Sequence, residues 1–199
     1  DLDMGQLPTR LRRNPILRKL INETQLSADD LVQPIFITSG DKKTEISSMP
    51  GQFHVPLNSI EKEIELIIVS GINSIILFGI PNKKDEQGSD TVNDNGIVQR
   101  AIRIIKKTYP KLLIITDVCF CQYTTHGHCG ILDSKGLINR KKSLEYLQKQ
   151  VISHANAGAD IVAPSCMIDE MVKYIRNALD DNQYEDIGIL SYAVKYASS

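Results

Sequence analysis

The sequence has no excess of either charge: Lys and Arg total 23 against 24 Asp and Glu, a formal charge of −1. That balance removes the electrostatic reason to expect nucleic acid or an anionic membrane as partner. No apolar run approaches the ~20 residues that a bilayer span requires. The polar start at residues 1–4 is no signal peptide, so a soluble, cytoplasmic chain is expected. Neither Gly-x-Gly-x-x-Gly nor Gly-x-x-x-x-Gly-Lys follows any apolar run, so the loops that cradle phosphates in nucleotide-binding sheets are missing. Internal repeats, low-complexity tracts and linkers are missing too. Cysteine is scarce, with four in 199 residues.

What is present is an alternation of short apolar runs and stretches of helical period. The chain is long enough for one sizeable core, and its 42% apolar and 24% charged residues are ordinary for a globular protein. Residues 31–37 read as a strand. Asn58 offers an N-cap with Glu61 as the capping-box partner, and Ile60, Ile64, Ile67 and Ile68 share one helical face. Residues 74–80 form a continuous apolar run, as in a strand covered on both faces. Ile97, Val98, Ala101, Ile102, Ile104 and Ile105 mark a second helix that ends before Pro110. Residues 112–116 read as a third strand, and Ser143 as the cap of a helix running to Gly158. Residues 160–163 make a fourth strand, the stripe Ile168, Met171, Val172, Ile175 and Leu179 a further helix, and residues 187–192 a fifth strand. This β-α alternation predicts a parallel sheet with right-handed crossovers. Periodicity leaves two architectures open: a complete open sheet, or an eight-stranded barrel of ~250 residues that would continue past Ser199.

Three of the four cysteines, Cys119, Cys121 and Cys129, fall just past the third strand, at the carboxyl end where α/β proteins place their sites. Three thiolates on one loop can hold one ion at about 2.3 Å each and leave a fourth tetrahedral position for water or substrate. The plainer alternatives are packing residues or a redox pair; metal is the better reading in a reducing compartment. His126 and His128 can ligate or support, and support is favoured because a histidine beside a metal loop often braces a ligand. Asp117 can orient a ligand or a proton, or cap backbone N–H groups.

Lys195 follows the fifth strand at the same rim. A lysine near a metal cation in a partly dry pocket can attack a ketone to form a Schiff base, whereas most lysines after strands are solvated. Ser165 can bond a substrate or cap the next helix. Cys166 reads as packing. Asp85, Glu86 and Asp90 lack the ligand spacing of a calcium loop and read as a solvated acidic loop.

These segments together resemble the porphobilinogen synthase (5-aminolevulinate dehydratase) family. Asp117 through Gly130, with its run Tyr123-Thr124-Thr125-His126-Gly127-His128-Cys129-Gly130, is similar to the family's zinc loop, and Ser191-Tyr192-Ala193-Val194-Lys195-Tyr196-Ala197-Ser198 to its Schiff-base segment. Shorter likenesses lie at Arg10-Leu11-Arg12-Arg13-Asn14-Pro15, Met49-Pro50-Gly51, Gly88-Ser89-Asp90 and Ala163-Pro164-Ser165. The resemblance implies a TIM (β/α)8 barrel, with residues 31–199 covering about the first five strands and residues 1–30 forming an arm that wraps a neighbour in a homo-octamer. It implies condensation of two 5-aminolevulinate molecules to porphobilinogen with loss of two waters, in tetrapyrrole biosynthesis. Lys195 would hold one substrate, Cys119, Cys121 and Cys129 a zinc, and Asp117 and Ser165 would line the pocket. The chain departs from the pattern in lacking the Val-Lys-Pro-Gly type segment with the second lysine, and in Cys166 and Glu170, where the pattern has Asp or Ala, and Gly. A Schiff-base barrel aldolase and a zinc-binding or redox-sensing thiol protein are the other classes these residues allow.

Overall fold

A computed structural model describes residues 8–195. The first seven residues of the expected arm, and Tyr196, Ala197 and Ser198 beside Lys195, lie outside the described residues. Seven strands form among the described residues: β1 (Gln33–Thr38), two short unexpected ones, β2 (Thr44–Glu45) and β3 (Phe53–Pro56), then β4 (Ser74–Ile80), β5 (Leu113–Val118), β6 (Ile161–Pro164) and β7 (Gly188–Ile189). The five other than β2 and β3 follow the expected alternation. The helices are α1 (Pro15–Leu20), α2 (Ile60–Val69), α3 (Ile97–Thr108), α4 (Arg140–Ala157) and α5 (Met171–Asp181). None of the described helices is long and apolar enough to cross a membrane.

The sheet runs β2-β3-β1-β4-β5-β6-β7. From β1 through β7 each parallel strand is added on the same side in chain order, with helices α2 to α5 between them. A doubly wound sheet reverses that order at a switch point. The β2–β3 pair is no such reversal, since no helix separates β1 from β3 and β2 is antiparallel to it. The winding is that of the barrel.

Strand alternation sorts the faces. Ile35, Ile37, Ile75, Leu77 and Ile114 point outward into one core with Ile64 of α2 and Ala101, Ile102 and Ile105 of α3. Val118 and Val162 join Leu144, Leu147 and Val151 of α4 and Ile175 and Leu179 of α5 in a second core. Each fully buried aliphatic side chain contributes about 1.5–3 kcal/mol. The residues between them, Ile76, Ile115 and Ala163 with Phe78 and Ile161, meet on the opposite, inner face, where Phe36 stacks on Phe78 at 5.1 Å. Asp117, two residues after Ile115, shares that inner face. Below it Lys106 bonds both carboxylate oxygens of Asp160, at 2.9 and 2.7 Å, and Asp160 accepts Ile114 N–H, tying α3 to the feet of β5 and β6.

Several local expectations are corrected. The capping box at Asn58 does not form: a 3-10 turn, Leu57–Ser59, leads out of Pro56, and Ser59 Oγ donates to the Pro56 carbonyl at 3.1 Å. Glu61 is taken by the Thr108 hydroxyl of α3 instead. Helix α4 starts three residues before Ser143, with Asn139 accepting from Lys142 N–H at 3.1 Å. Ile168 precedes α5 rather than lying in it, and the last strand is only Gly188–Ile189. The third strand extends to Val118, so Asp117 is held within the sheet rather than on a loop.

Candidate functional site

The cysteine loop leaves β5 and is fastened at three places. Tyr123 and Thr124 N–H groups bond the Phe120 carbonyl at 2.8 and 3.0 Å, folding the first turn. The 85–89 loop then clamps it: Asp85 N–H donates to the Tyr123 carbonyl, and Thr125 N–H to the Asp85 carbonyl at 3.0 Å. At the far end, the buried Ser143 hydroxyl accepts Ile131 N–H at 2.9 Å while donating to the Asn139 carbonyl at 2.8 Å. Ser143 is thus an anchor for the loop, not a helix cap.

The loop also inserts Tyr123 beneath the rim. A side chain at Gly79 in β4 would overlap the Tyr123 hydroxyl and Val98, so glycine leaves the slot into which the phenol fits. Sequence reasoning did not single out Tyr123; the available signal was a glycine interrupting the apolar run of a strand, which marks a close approach.

The Sγ atoms of Cys119, Cys121 and Cys129 all lie within 4.8 Å of one another, and the first two are 3.3 Å apart. Bonds of about 2.3 Å to one ion set the sulfurs of a tetrahedral site roughly 3.8 Å apart, the scale of this cluster, so the donor set suits a thiophilic ion. Cys119 is buried and the other two are partly exposed. The contact with Cys121 pushes the Cys119 thiol down, and the same closeness to Cys119 pushes Cys121 and Cys129 up.

Neither histidine joins the trio among the described residues. His126 bonds the Glu86 carbonyl through Nε2 at 3.1 Å and accepts His128 N–H on Nδ1 at 3.1 Å, a brace between the two loops. The acidic loop is likewise structural: Asp85 accepts from Gln87 and Ser89 N–H groups at 2.9 and 3.0 Å and from the Ser89 hydroxyl, which holds its carboxyl below the usual range. Cys166 is buried with its thiol on the Val118 carbonyl at 3.5 Å, outside the trio.

Asp117, Ser165 and Lys195 are brought into one chain of contacts. The Ser165 hydroxyl donates to Asp117 Oδ1 at 2.7 Å, and Lys195 Nζ donates to the Ser165 carbonyl at 2.8 Å. Ser165 therefore serves no helix cap. Burial pushes the Asp117 carboxyl up to about 7, against the Ser165 hydrogen bond, with Cys119 raising it further and Lys195 lowering it. Lys195 itself is exposed at the rim.

Fold and site together define a barrel-type α/β protein with a cluster of three thiols, able to hold a metal ion, at the carboxyl ends of its strands. The family model described as Delta-aminolevulinic acid dehydratase matches residues 6–199. A protein of that name from Ruminiclostridium josui is 50% identical over 197 residues, covering 98% of this chain and 96% of the relative. One from Methanothermus sociabilis is 48% identical over 191 residues, covering 96% of this chain and 59% of the relative. The crystal structure of delta-aminolevulinic acid dehydratase (porphobilinogen synthase) from Toxoplasma gondii ME49, in complex with the reaction product porphobilinogen, matches with TM-score 0.95 and 34% identity, over 100% of this chain and 57% of that one. The chain belongs to the delta-aminolevulinic acid dehydratase family, and it spans about three fifths of the length of the Methanothermus and Toxoplasma proteins.

Proposed function

We propose that the chain carries the zinc site and one imine-forming lysine of a porphobilinogen synthase, which condenses two 5-aminolevulinate molecules with loss of two waters in tetrapyrrole (heme) biosynthesis. The observation that carries this reading is the Lys195–Ser165–Asp117 chain of contacts beside the three thiols. Family membership and the product bound to the Toxoplasma relative support it.

Lys195 Nζ, unprotonated, attacks the ketone carbon of one 5-aminolevulinate. The C–N bond forms, the carbonyl oxygen is protonated, and it departs as water to leave the imine. Asp117 suits the proton transfers, because a carboxyl held near 7 both gives and takes a proton at neutral pH. Ser165 orients Asp117 through its hydroxyl and Lys195 through its carbonyl. Cys119, Cys121 and Cys129 would hold the zinc, which supplies a Lewis acid to a substrate atom in its open position.

The same reading assigns residues 1–30 to an arm and residues 31–199 to the barrel portion. The exposed Ile16 and Leu20 of α1 suit burial against another subunit of a homo-octamer. The cytoplasm is the compartment in which the three thiols stay reduced and ready for metal.

The test is borohydride reduction in the presence of labelled 5-aminolevulinate, followed by peptide mapping. Label is expected on Lys195. Label only elsewhere, with Lys195→Met labelled normally, removes Lys195 from the mechanism. Metal analysis tests the second part: a Cys119→Ser, Cys121→Ser, Cys129→Ser triple variant that retains stoichiometric zinc overturns the metal assignment.

A further inference from the structure

We propose that Gln150 of α4 is a positioning residue for the thiol trio: its amide holds the Cys119 carbonyl and so fixes where the first sulfur stands for metal binding. This deepens the metal reading given above and rests on it. Gln150 is fully buried and is flanked on its helix by Leu147 and Val151 of the second core. Its Nε2 donates to the Cys119 carbonyl at 3.4 Å, and its Oε1 has no partner among the described residues. A carbonyl oxygen only accepts, so nitrogen is the amide atom that faces Cys119.

Three successive carbonyls at the end of β5 go to three different partners. Val118 accepts Ser165 N–H at 3.2 Å, just past β6, and Phe120 accepts Tyr123 and Thr124 N–H at 2.8 and 3.0 Å within the loop's own turn. The Cys119 carbonyl between them turns to α4. One helical turn after Gln150, His154 holds the Thr116 hydroxyl at 3.0 Å; two turns before it, Ser143 holds Ile131 N–H at 2.9 Å. Residues 143, 150 and 154 share one helical face, and the first two stand about 10.5 Å apart along the axis. One helix thus grips the strand before the trio, the first cysteine, and the chain two residues past the last cysteine.

The orphaned oxygen says what the amide is for. An unmet buried acceptor costs stability, and an apolar side chain of similar shape removes that cost. Folding alone therefore favours an apolar residue at position 150; what the amide supplies is a fixed carbonyl at Cys119. Holding that carbonyl fixes the planar peptide unit on the carboxyl side of Cys119, and with it the direction in which the side chain leaves the strand end. The sulfur so aimed stands 3.3 Å from Cys121 Sγ, in a trio whose members all lie within 4.8 Å of one another. Groups that orient a metal ligand from behind change metal affinity by about 10–100-fold when removed.

The experiment compares Gln150→Met and Gln150→Leu with wild type, two apolar replacements so that the result does not rest on a thioether. Zinc affinity is measured by chelator competition, and the metal-free protein is followed by urea unfolding and by iodoacetamide labelling with peptide mapping. Both variants are expected to bind zinc about tenfold more weakly, with a urea midpoint equal to or above that of wild type. Mere structural support would lower affinity and midpoint together. Cys119 should label faster in both variants while Cys129, held from the Ser143 end, keeps its wild-type rate. Unchanged zinc affinity, a lowered midpoint, failure to fold, or labelling that is unchanged at Cys119 or rises equally at Cys129 overturns the proposal. A wild type that takes up no zinc overturns the metal reading instead, and labelling of the metal-free protein still tests the hold of Gln150 on Cys119.

Discussion

Ser165 and Asp117 face each other across the β5–β6 pair, hydroxyl to carboxylate at 2.7 Å, on the inner side of the sheet. The carboxylate is buried, so its one side-chain donor matters. Ser165→Ala is expected to cost about 1–3 kcal/mol in urea unfolding, the penalty of leaving a buried polar partner unmet. Asp117→Asn keeps an acceptor for Ser165 and should unfold close to wild type, while imine trapping on Lys195 slows. A Ser165→Ala variant as stable as wild type would show that the contact contributes nothing to folding.

Gly79 and Tyr123 couple the sheet to the cysteine loop. Gly79→Ala places a methyl group where the phenol and Val98 already sit, and overpacking of this kind costs about 1–3 kcal/mol. The displaced loop should also bind zinc more weakly, measured by chelator competition. Removing the hydroxyl relieves part of the clash, so Gly79→Ala should cost less in a Tyr123→Phe background. Equal costs in both backgrounds would show that the two positions are uncoupled.

His154 of α4 is fully buried, with Nδ1 bonded to the Thr116 hydroxyl at 3.0 Å and Nε2 unpartnered among the described residues. Burial pushes its pKa down to about 3, from 6.5. The unfolded chain therefore binds a proton below about 6.5 that the folded chain refuses. The stability this represents is complete above pH 6.5 and is lost as pH falls toward 3, at up to about 1.4 kcal/mol per pH unit. Urea unfolding between pH 7 and 4 should show this slope, and His154→Gln should flatten it. An unchanged slope in that variant would assign the acid sensitivity to other groups.

Glu170 has φ 66, a left-handed conformation that costs a non-glycine residue about 1–2 kcal/mol. Its carboxylate pairs with Arg140, an exposed contact worth about 0–1 kcal/mol. Glu170→Gly should therefore raise stability by about 1 kcal/mol, read as a higher urea midpoint with unchanged slope. A lower midpoint would show that the ion pair outweighs the strain.

Much of this protein is carried by local pattern. The apolar runs at Ile75–Leu77 and Ile114–Ile115 and the helical stripe Ala101, Ile102, Ile105 are visible because burial imposes period 2 or 3.6 on the residue types themselves. The cysteine trio is visible because its members are close in the chain. The β2–β3 pair was not, since strands of two and four residues are too short to show a period. The role of Ser143 was misread because a serine near a helix start serves equally as a cap or as a buried anchor. Only its contact with Ile131, 12 residues away, separates the two.

The sequence by itself determined the parallel α/β alternation, the cysteine trio and the residues at the strand ends, because these depend on spacing within short segments. Only the tertiary structure decided that Ser165 faces Asp117 and that Tyr123 lies in the slot left by Gly79. Each of those contacts joins residues more than forty positions apart, and their meeting depends on strand register, which the pairing of whole strands sets.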